Sequence, residues 1–309
     1  MAHTILFTHK ACIAHDPGAG HPERPDRLRA VMARLDQPAF AALERREAPL
    51  ASRAAIARVH DAELVEAILE AVPKAGHVAI DADTRMSPQS GEAALRAAGA
   101  LIAAVDAVMK GEADNAFCAV RPPGHHAQPA RPMGFCLFNN IAIGAAHARA
   151  AHGVKRIAML DFDVHHGNGT QAFVEADADY FFASSHQWPL YPGTGAASET
   201  GVGNVVNVPL RAMAGSAEFR AAWADKVLPA LDRFAPELVM ISAGFDAHRD
   251  DPLGGLQLVE ADYEWVTNEF ARLAKRHAKG RLVSTLEGGY DLDALAASTA
   301  AHVTALLAA

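Results

Sequence analysis

The sequence predicts an α/β domain in which a central, mostly parallel sheet of about eight strands lies between helices. Short apolar runs alternate with amphipathic stretches along all 309 residues, which is the pattern of repeated strand–helix units. The length suits one large domain, and we find no Pro/Gly/Ser-rich linker, low-complexity tract or internal repeat. We therefore expect a single three-layer domain over residues 1–309.

Seven apolar runs are predicted to be strands: Ile5–Thr8, Ala116–Arg121, Arg156–Phe162, Tyr180–Ser184, Asn204–Val208, Leu238–Ser242 and Leu282–Glu287. Apolar residues recur at helical spacing from Leu28, from Leu95 and from Phe219, which predicts helices there. Gly111 and Gly153 stand where helix C-caps are expected. Two long segments are predicted to be loops over one face of the sheet, namely His9–Pro25 and His77–Ser90.

Composition and charge narrow the function classes. Lys and Arg number 28 and Asp and Glu 36, so the formal net charge is −8, which argues against direct nucleic-acid binding. The three cysteines, Cys12, Cys118 and Cys136, show no CxxC spacing, so we expect no disulfide framework and a reducing compartment. Because the first ten residues lack a signal peptide's apolar core and no run reaches the length of a membrane span, we expect a cytoplasmic protein.

Four predicted strands end in polar clusters. These are Arg121–His126, Asp161–Asn168, Ala243–His248 and Glu287–Tyr290. In open α/β sheets, ligands bind outside the carboxyl ends of the strands. The convergence of four such ends predicts a functional site and carries more weight than any one motif.

The second cluster suits a metal ion. Asp163 and His165 are two residues apart, so in extended chain both side chains can reach one ion. A catalytic zinc normally takes three protein ligands and one water, and Asp246 is our choice for the third, with His248 as its competitor. Asp161 is either a further ligand or a group that orients a histidine, and spacing leaves both open. Carboxylate and imidazole also suit manganese or iron.

The remaining clusters suit acid–base chemistry. Adjacent His125 and His126 point in different directions in extended chain, so we expect different roles for them. Asp161 and Asn168 are plausible partners, because a carboxylate holds an imidazole cationic whereas an amide leaves it free to act as a base. Tyr290, which follows two glycines, is either a packing residue or a donor to a developing oxyanion.

Together the segments RPPGHHA, DFDVHHGNGTQ, SAGFDAH with DPLGG, and LEGGYDL resemble the histone deacetylase and acetylpolyamine amidohydrolase family, closest to class II-type members and their bacterial relatives. The similarity runs from about His15 to the C-terminus. It implies an arginase/deacetylase-type fold and a metal-dependent amidohydrolase. The expected substrate is acetyl-lysine in peptides or proteins, with an acetylated polyamine or another small amide as the alternative.

The resemblance also implies roles for individual residues. Zn²⁺, or Fe²⁺ in the cell, would be held by Asp163, His165 and Asp246. His126 with Asn168 would be the general base and then acid, His125 with Asp161 its electrostatic partner, and Tyr290 the residue that polarises the carbonyl. A structural K⁺ is expected near Asp161, Asp163, His165, Ser184 and Ser185.

The expected substrate tunnel departs from the family pattern. Segment 186–193 is short, and it carries Trp188 and Tyr191 where phenylalanine-like residues are usual. Leu253 replaces the acidic gatekeeper of polyamine-specific relatives, which favours acyl-lysine, although Asp81 and Asp83 could narrow the entrance by an oligomer contact. Arg24 matches an arginine beneath the active site. The predicted tunnel set is Gly134, Phe135, Trp188, Leu190, Tyr191, Leu253 and Arg24.

Two other functions compete with this interpretation. The shared fold allows an arginase-like enzyme with two manganese ions, although a second metal would need more carboxylates than the motifs offer. A binding module that has lost catalysis is the alternative outside enzymes, and the complete set of expected catalytic residues argues against it. A homo-oligomer is compatible with the sequence.

Overall fold

The computed structural model describes residues 2–309, and its central feature is one sheet of eight parallel strands. The strands, in chain order, are β1 (Thr4–Thr8), β2 (Glu44–Glu47), β3 (Val78–Ala79), β4 (Arg85–Met86), β5 (Asn115–Cys118), β6 (Ile157–Asp161), β7 (Tyr180–Gln187), β8 (Val205–Leu210), β9 (Leu238–Ala243) and β10 (Leu282–Leu286). The order across the sheet is β2-β1-β5-β10-β9-β6-β7-β8, and every neighbouring pair is parallel. Strands β3 and β4 form a separate antiparallel hairpin.

Eleven α-helices are found in residues 2–309. They are α1 (Lys10–Ala14), α2 (Pro25–Leu35), α3 (Arg53–Ile56), α4 (Ala62–Glu70), α5 (Ser90–Lys110), α6 (Asn140–His152), α7 (Asn168–Val174), α8 (Ser216–Ala222), α9 (Leu228–Phe234), α10 (Glu260–His277) and α11 (Leu292–Ala308). A π-helical turn over Trp223–Val227 joins α8 to α9. None of the helices in this part of the chain is both long enough and apolar enough to cross a membrane.

Helices cover the sheet on both sides and give the fold three layers. Helix α5 packs on α6 and on β1, β5 and β10, whereas α10 packs on α11 and β9, and α11 also packs on α2. Covered strands need apolar side chains on both faces, which is why β6 and β9 are buried at every position. The predicted three-layer α/β architecture is confirmed.

The observed elements agree with the sequence prediction except at one edge. All seven predicted strands are present, with ends that differ by a few residues. The eighth, β2, has the sequence Glu-Arg-Arg-Glu and pairs only with β1 at the edge of the sheet, so no apolar pattern marks it. Gly111 and Gly153 end α5 and α6 at φ 73° and 66°, the left-handed conformation predicted for these caps. The two predicted loops contain α1 and the β3–β4 hairpin.

Candidate active site

The four polar clusters meet at the middle of the sheet's carboxyl edge. They follow β5, β10, β9 and β6, which are consecutive neighbours in the sheet. Strands β9 and β10 come last along the chain and fill the place between β5 and β6. The topology therefore brings together side chains that are separated by more than a hundred residues, as the predicted convergence of strand ends requires.

Asp163, His165 and Asp246 form one buried group. Each offers a ligand atom within 4.8 Å of the other two. His165 Nδ1 lies 3.1 Å from Asp163 Oδ1 and 3.1 Å from Asp246 Oδ2. The competing candidate, His248, lies outside the group, and its Nδ1 accepts the amide hydrogen of Asp250 at 3.2 Å. The structure thus favours Asp246 over His248 as the third candidate metal ligand.

The group fits a divalent metal ion. The amide of Val164 donates to Asp246 Oδ1 and that of Gly288 to Asp163 Oδ2, both at 2.8 Å, so the carboxylates are fixed. A Cβ at Gly288 would lie 2.0 Å from Asp246 Oδ2, and only glycine allows this approach. Burial and the charge of Asp163 raise the pKa of Asp246 to about 7. A cation removes this penalty, and two carboxylates with an imidazole are a donor set for zinc or a similar ion.

The adjacent histidines have different partners. His125 Nδ1 lies 2.9 Å from Asp161 Oδ2, and His126 Nδ1 lies 2.8 Å from Asn168 Oδ1. Burial lowers the pKa of His125, but the neighbouring carboxylates outweigh it and raise that pKa to about 10. Burial and two neighbouring histidines hold the pKa of His126 well below its usual value. One imidazole is therefore cationic and the other neutral at pH 7.

Glu287 fixes the turn that carries these histidines. Its Oε2 accepts the amide hydrogens of Gly124 at 2.7 Å and His125 at 3.2 Å, and its Oε1 accepts the Ser242 hydroxyl at 3.0 Å. The side chain is fully buried. Sequence reasoning gave Glu287 no role of its own, although its position at the end of a strand and before two glycines was a usable signal.

A cavity of about 250 Å³ borders the histidines and the ligand group. Its lining consists of Asp83, Pro123, His125, His126, Gly134, Phe135, His165, Leu190, Tyr191, Leu253, Gly288 and Tyr290. The Phe135 and Tyr290 rings meet edge to face at 6.0 Å, and the Tyr191 ring lies 5.1 Å from that of His126. Gly134 and Phe135 have positive φ angles of 57° and 67°, and a Cβ at Gly134 would lie 2.5 Å from the His126 ring. The turn therefore requires glycine at 134 and holds Phe135 in a strained conformation.

Two predicted tunnel residues do not line the cavity. Five do, namely Gly134, Phe135, Leu190, Tyr191 and Leu253. Trp188 is not among the lining residues, because β7 runs to Gln187 and the Trp188 amide still follows β8, donating to Leu210 O at 2.7 Å. Asp83 lines the cavity from within the same chain and needs no oligomer contact to reach it.

The prediction that Arg24 lies beneath the site is wrong. Arg24 directly precedes α2, its side chain is 45 % exposed, and it pairs with a neighbouring surface aspartate. Arg27, on the buried face of the same helix, donates from Nε to Gly289 O at 2.5 Å and from Nη2 to Glu287 O at 2.6 Å. Its guanidinium lies 4.9 Å from the centre of the Tyr290 ring. Arg27 is thus the arginine that supports the Tyr290 turn.

Arg27 belongs to a buried ion network that sequence reasoning missed. Glu23 accepts from Arg27 Nη1 at 3.1 Å and from Arg121 Nη2 at 2.7 Å, and His15 Nε2 lies 3.3 Å from its carboxylate. Despite the cost of burial, these partners, Arg121 first, hold the pKa of Glu23 well below its usual value. The network fixes segment 9–25 against the end of β5.

The residues predicted to bind K⁺ are only partly placed for it. Asp161 on β6 pairs in register with Ser184 on β7. The Ser184 hydroxyl lies 2.9 Å from His186 Nδ1, whereas the Ser185 hydroxyl accepts from Trp223 Nε1 at 3.0 Å. Successive strand side chains point to opposite faces, so the two hydroxyls cannot both face Asp161. The Ser185 side chain is therefore not placed beside Asp161.

Comparison with known proteins assigns the chain and its fold to a family. Residues 21–306 match the histone deacetylase domain. The chain belongs to the histone deacetylase family. It is 44 % identical over 278 residues to the histone deacetylase-like amidohydrolase of Pseudomonas aeruginosa, and the match covers 88 % of this chain and 73 % of that protein. It is 37 % identical over 335 residues to type-2 histone deacetylase 2 of Dictyostelium discoideum, covering 94 % of this chain but only 20 % of that longer protein.

A solved histone deacetylase structure has the same fold. The crystal structure of the HDA15 HD domain matches with a TM-score of 0.93 and 36 % identity, and the match covers 99 % of this chain and 88 % of that one. The predicted arginase/deacetylase-type fold is therefore confirmed. The chain is a histone deacetylase-family hydrolase.

Proposed function

We propose that this hydrolase cleaves the N-acetyl amide of acetyl-lysine in peptides or proteins. One observation carries the proposal: a cationic and a neutral histidine lie beside a group that suits a metal ion, at an apolar cavity that Tyr290 also lines. Cleavage of an unstrained amide requires a water nucleophile, a base and a donor to the oxyanion. The metal-binding group would activate the water, His126 would be the base and Tyr290 would donate to the oxyanion.

Asp163, His165 and Asp246 would hold the ion, which we propose to be Zn²⁺, with Fe²⁺ as the alternative. When bound, such an ion polarises the amide carbonyl and makes water more acidic. The protein supplies the rest of the chemistry. We further propose a structural K⁺ near Asp161, Asp163, His165, the Ser184 hydroxyl and the Ser185 backbone, which a higher melting temperature in KCl than in NaCl would support.

The two histidines divide the proton transfers. Asn168 Oδ1 accepts the Nδ1 hydrogen of His126, which leaves the His126 Nε2 lone pair free to take a proton from water. His126 then returns this proton to the leaving amine. His125 stays protonated beside Asp161 and stabilises the negative charge that develops nearby.

Tyr290 supplies the remaining donor. Its side chain is buried at the cavity, and burial keeps the pKa of its hydroxyl well above the usual value. The hydroxyl therefore keeps its hydrogen and can donate it to the carbonyl oxygen as negative charge builds there. Asp251 positions the turn, because its Oδ2 accepts the Tyr290 amide hydrogen at 2.7 Å.

The lining of the cavity argues for lysine as the amine. Phe135, Leu190 and Tyr191 present an apolar wall that suits the alkyl stem of an acylated lysine, and Leu253 adds no charge. A second candidate substrate, an acetylated polyamine, is favoured by Asp83, whose carboxylate lies at the same cavity and could pair with a free ammonium group.

The test is a substrate panel on protein reconstituted with metal. We expect a higher kcat/KM for acetyl-lysine peptides than for acetylputrescine or acetylspermidine, and inhibition by a hydroxamate. Tyr290→Phe should lower kcat on the order of 100-fold, whereas Tyr180→Phe, which alters a ring packed against Arg149 outside the cavity, should not. Faster turnover of acetylpolyamines would favour the second candidate. No hydrolysis of either class would refute the proposal.

A further inference from the structure

A second group of metal-binding side chains joins helices α5 and α6. Asp106 Oδ1 lies 2.7 Å from His147 Nε2 and 2.7 Å from His152 Nε2. One ligand atom from each residue lies within 4.8 Å of the other two. The side chains are partly buried, with 32 %, 14 % and 17 % of their surfaces exposed. In residues 2–309, this group and the one at the active site are the two with three or more such side chains.

The group lies far from the chemistry proposed above. Helix α6 begins at Asn140, next to the cavity-lining turn, and ends at His152. Its 13 residues span about 20 Å, so its last turn lies at the opposite end of the domain from the cavity. Neither His147 nor His152 takes part in the site described above, and nothing in the proposed reaction uses them.

The arrangement is not a consequence of helical periodicity. His147 and His152 are five residues apart, which places them about 140° apart around an ideal helix. Both imidazoles nevertheless reach the same carboxylate oxygen. Asp232 has a different set of partners: its Oδ1 lies 2.7 Å from His277 Nε2 and accepts from Arg276 Nη1 at 2.8 Å, and a guanidinium cannot ligate a metal ion. Convergence of two imidazole nitrogens on one point is typical of a metal site.

We propose that Asp106, His147 and His152 form a second transition-metal site that fastens the end of α5 to the end of α6. Two imidazoles and one carboxylate suit Zn²⁺, Co²⁺, Ni²⁺ or Cu²⁺, and a water would complete a tetrahedral shell. Lys110 Nζ lies 3.0 Å from Asp106 Oδ2, the other oxygen of the carboxylate. Because its side chain is 53 % exposed, Lys110 can stay paired with that oxygen or move into solvent when the ion binds.

The role of this ion is structural. An ion that binds the folded chain but not the unfolded one raises stability by mass action. It would join two helices that both begin near the cavity, α5 after the β3–β4 hairpin and α6 after the Phe135 turn. The proposal is independent of the reaction proposed for the active site, because none of its ligands lines the cavity.

The test counts metal ions on the intact holoenzyme. Protein equilibrated with buffered Zn²⁺ at micromolar free concentration is separated from free ion and analysed for zinc by mass spectrometry. We expect each of His147→Gln, His152→Gln and Asp106→Asn to bind one zinc ion fewer than wild type, which is one instead of two when the active-site group is also filled. The control His277→Gln removes a matched histidine–aspartate pair and should bind as many as wild type. If Asp106→Asn fails to fold, the histidine variants, which leave the Asp106–Lys110 pair in place, carry the same test.

A second readout is thermal. Added Zn²⁺ should raise the melting temperature of metal-free wild type and His277→Gln by more than it raises that of the His147 and His152 variants, which keep only the active-site group. Amide hydrolysis should be the same in all four proteins, which separates this proposal from the proposed function. The same zinc content in wild type and in both histidine variants would overturn the proposal, whatever the active-site group binds.

Discussion

At the scale of single residues, His125 and His126 show how two identical neighbours acquire opposite protonation states. Both are fully buried, which disfavours the cation in each. The Asp161 carboxylate reverses this for His125, whereas the Asn168 amide cannot do so for His126. The sequence predicted that the two partners would differ in charge. It could not assign the pairing by spacing, because a turn of unknown shape separates Asp161 from Asn168.

Asn168→Asp should convert the base into a cation. A carboxylate beside Nδ1 raises the pKa of His126, so less of the neutral base is present at pH 7. We expect kcat/KM at pH 7 to fall on the order of 100-fold and the acidic limb of the pH–rate profile to move to higher pH. Activity should partly recover as the pH is raised. An equal loss at every pH would instead indicate a structural defect.

Arg27 and Arg24 offer a matched pair of arginines on and beside one helix. Arg27→Met removes the buried cation that pairs with Glu23 and the donors to the carbonyl oxygens of Glu287 and Gly289, just before Tyr290. This loss should cost about 3–5 kcal/mol of unfolding free energy and should lower kcat. Arg24→Met removes an exposed pair and should change stability by less than about 1 kcal/mol. Urea unfolding and steady-state kinetics measure both effects. Equal losses in the two variants would contradict the structural assignment.

At the scale of helices and strands, the pattern of apolar residues predicted the elements that are buried. A strand covered on both faces must be apolar, so β6, β9 and β10 could be recognised from composition alone. The edge strand β2 could not, because its side chains are partly exposed and its pairing with β1 uses backbone groups that carry no sequence signal. The same limit explains the Arg24 error. Two arginines three residues apart look alike until the start of α2 shows which one faces the core.

His302 joins three elements through one neutral ring. Its Nδ1 lies 2.7 Å from the Thr267 hydroxyl on α10 and its Nε2 lies 2.7 Å from the Ser284 hydroxyl on β10. Thr267 already donates to Tyr263 O at 2.6 Å, so it can only accept from His302. The proton therefore belongs on Nδ1, and Nε2 accepts from Ser284. Full burial lowers the pKa of His302 to about 3.

This pKa predicts how stability depends on pH. Between about pH 6.5 and pH 3 the unfolded chain binds a proton at residue 302 that the folded chain excludes. The contribution of His302 to the free energy of unfolding is therefore complete above about pH 6.5 and falls by about 1.4 kcal/mol per pH unit below it. Wild type should lose about 2 kcal/mol more than His302→Gln between pH 6.5 and pH 5 in urea unfolding. The exposed control His77→Gln should follow wild type, and parallel curves for wild type and His302→Gln would refute the assignment.

At the scale of the whole molecule, strand order determines which residues meet. The sequence indicated that four clusters follow four strands, and parallel strands put those ends on one edge. It did not indicate that β9 and β10 return between β5 and β6, which is what brings Asp246 and Gly288 against Asp163. The place of Asp83 at the cavity could not be predicted either, because it depends on how segment 77–90 folds over that edge. Long-range contacts of this kind have no local signal in the chain.

Because the ligand group lies where β6, β9 and β10 end, metal removal should affect the whole domain. Without a cation, Asp163 and Asp246 repel each other in a buried site. We expect a chelator to abolish amide hydrolysis and to lower the melting temperature on the order of 10 °C, since a ligand at 1,000 times its Kd adds about 4 kcal/mol. The measurement belongs in the His147→Gln background, so that the second group does not contribute.

Asp246→Asn provides the matched control for metal removal, because it removes one of the two mutually repelling negative charges and one metal ligand together. In chelator this variant should melt at a higher temperature than the chelated parent, since the repulsion with Asp163 is relieved. It should gain little from added Zn²⁺, since two protein ligands hold the ion poorly. Because the side-chain amide oxygen in Asp246→Asn can still accept the Val164 amide hydrogen, a purely structural role for Asp246 predicts no rise in melting temperature in chelator. The presence or absence of that rise therefore decides whether this pair of carboxylates is built around a cation.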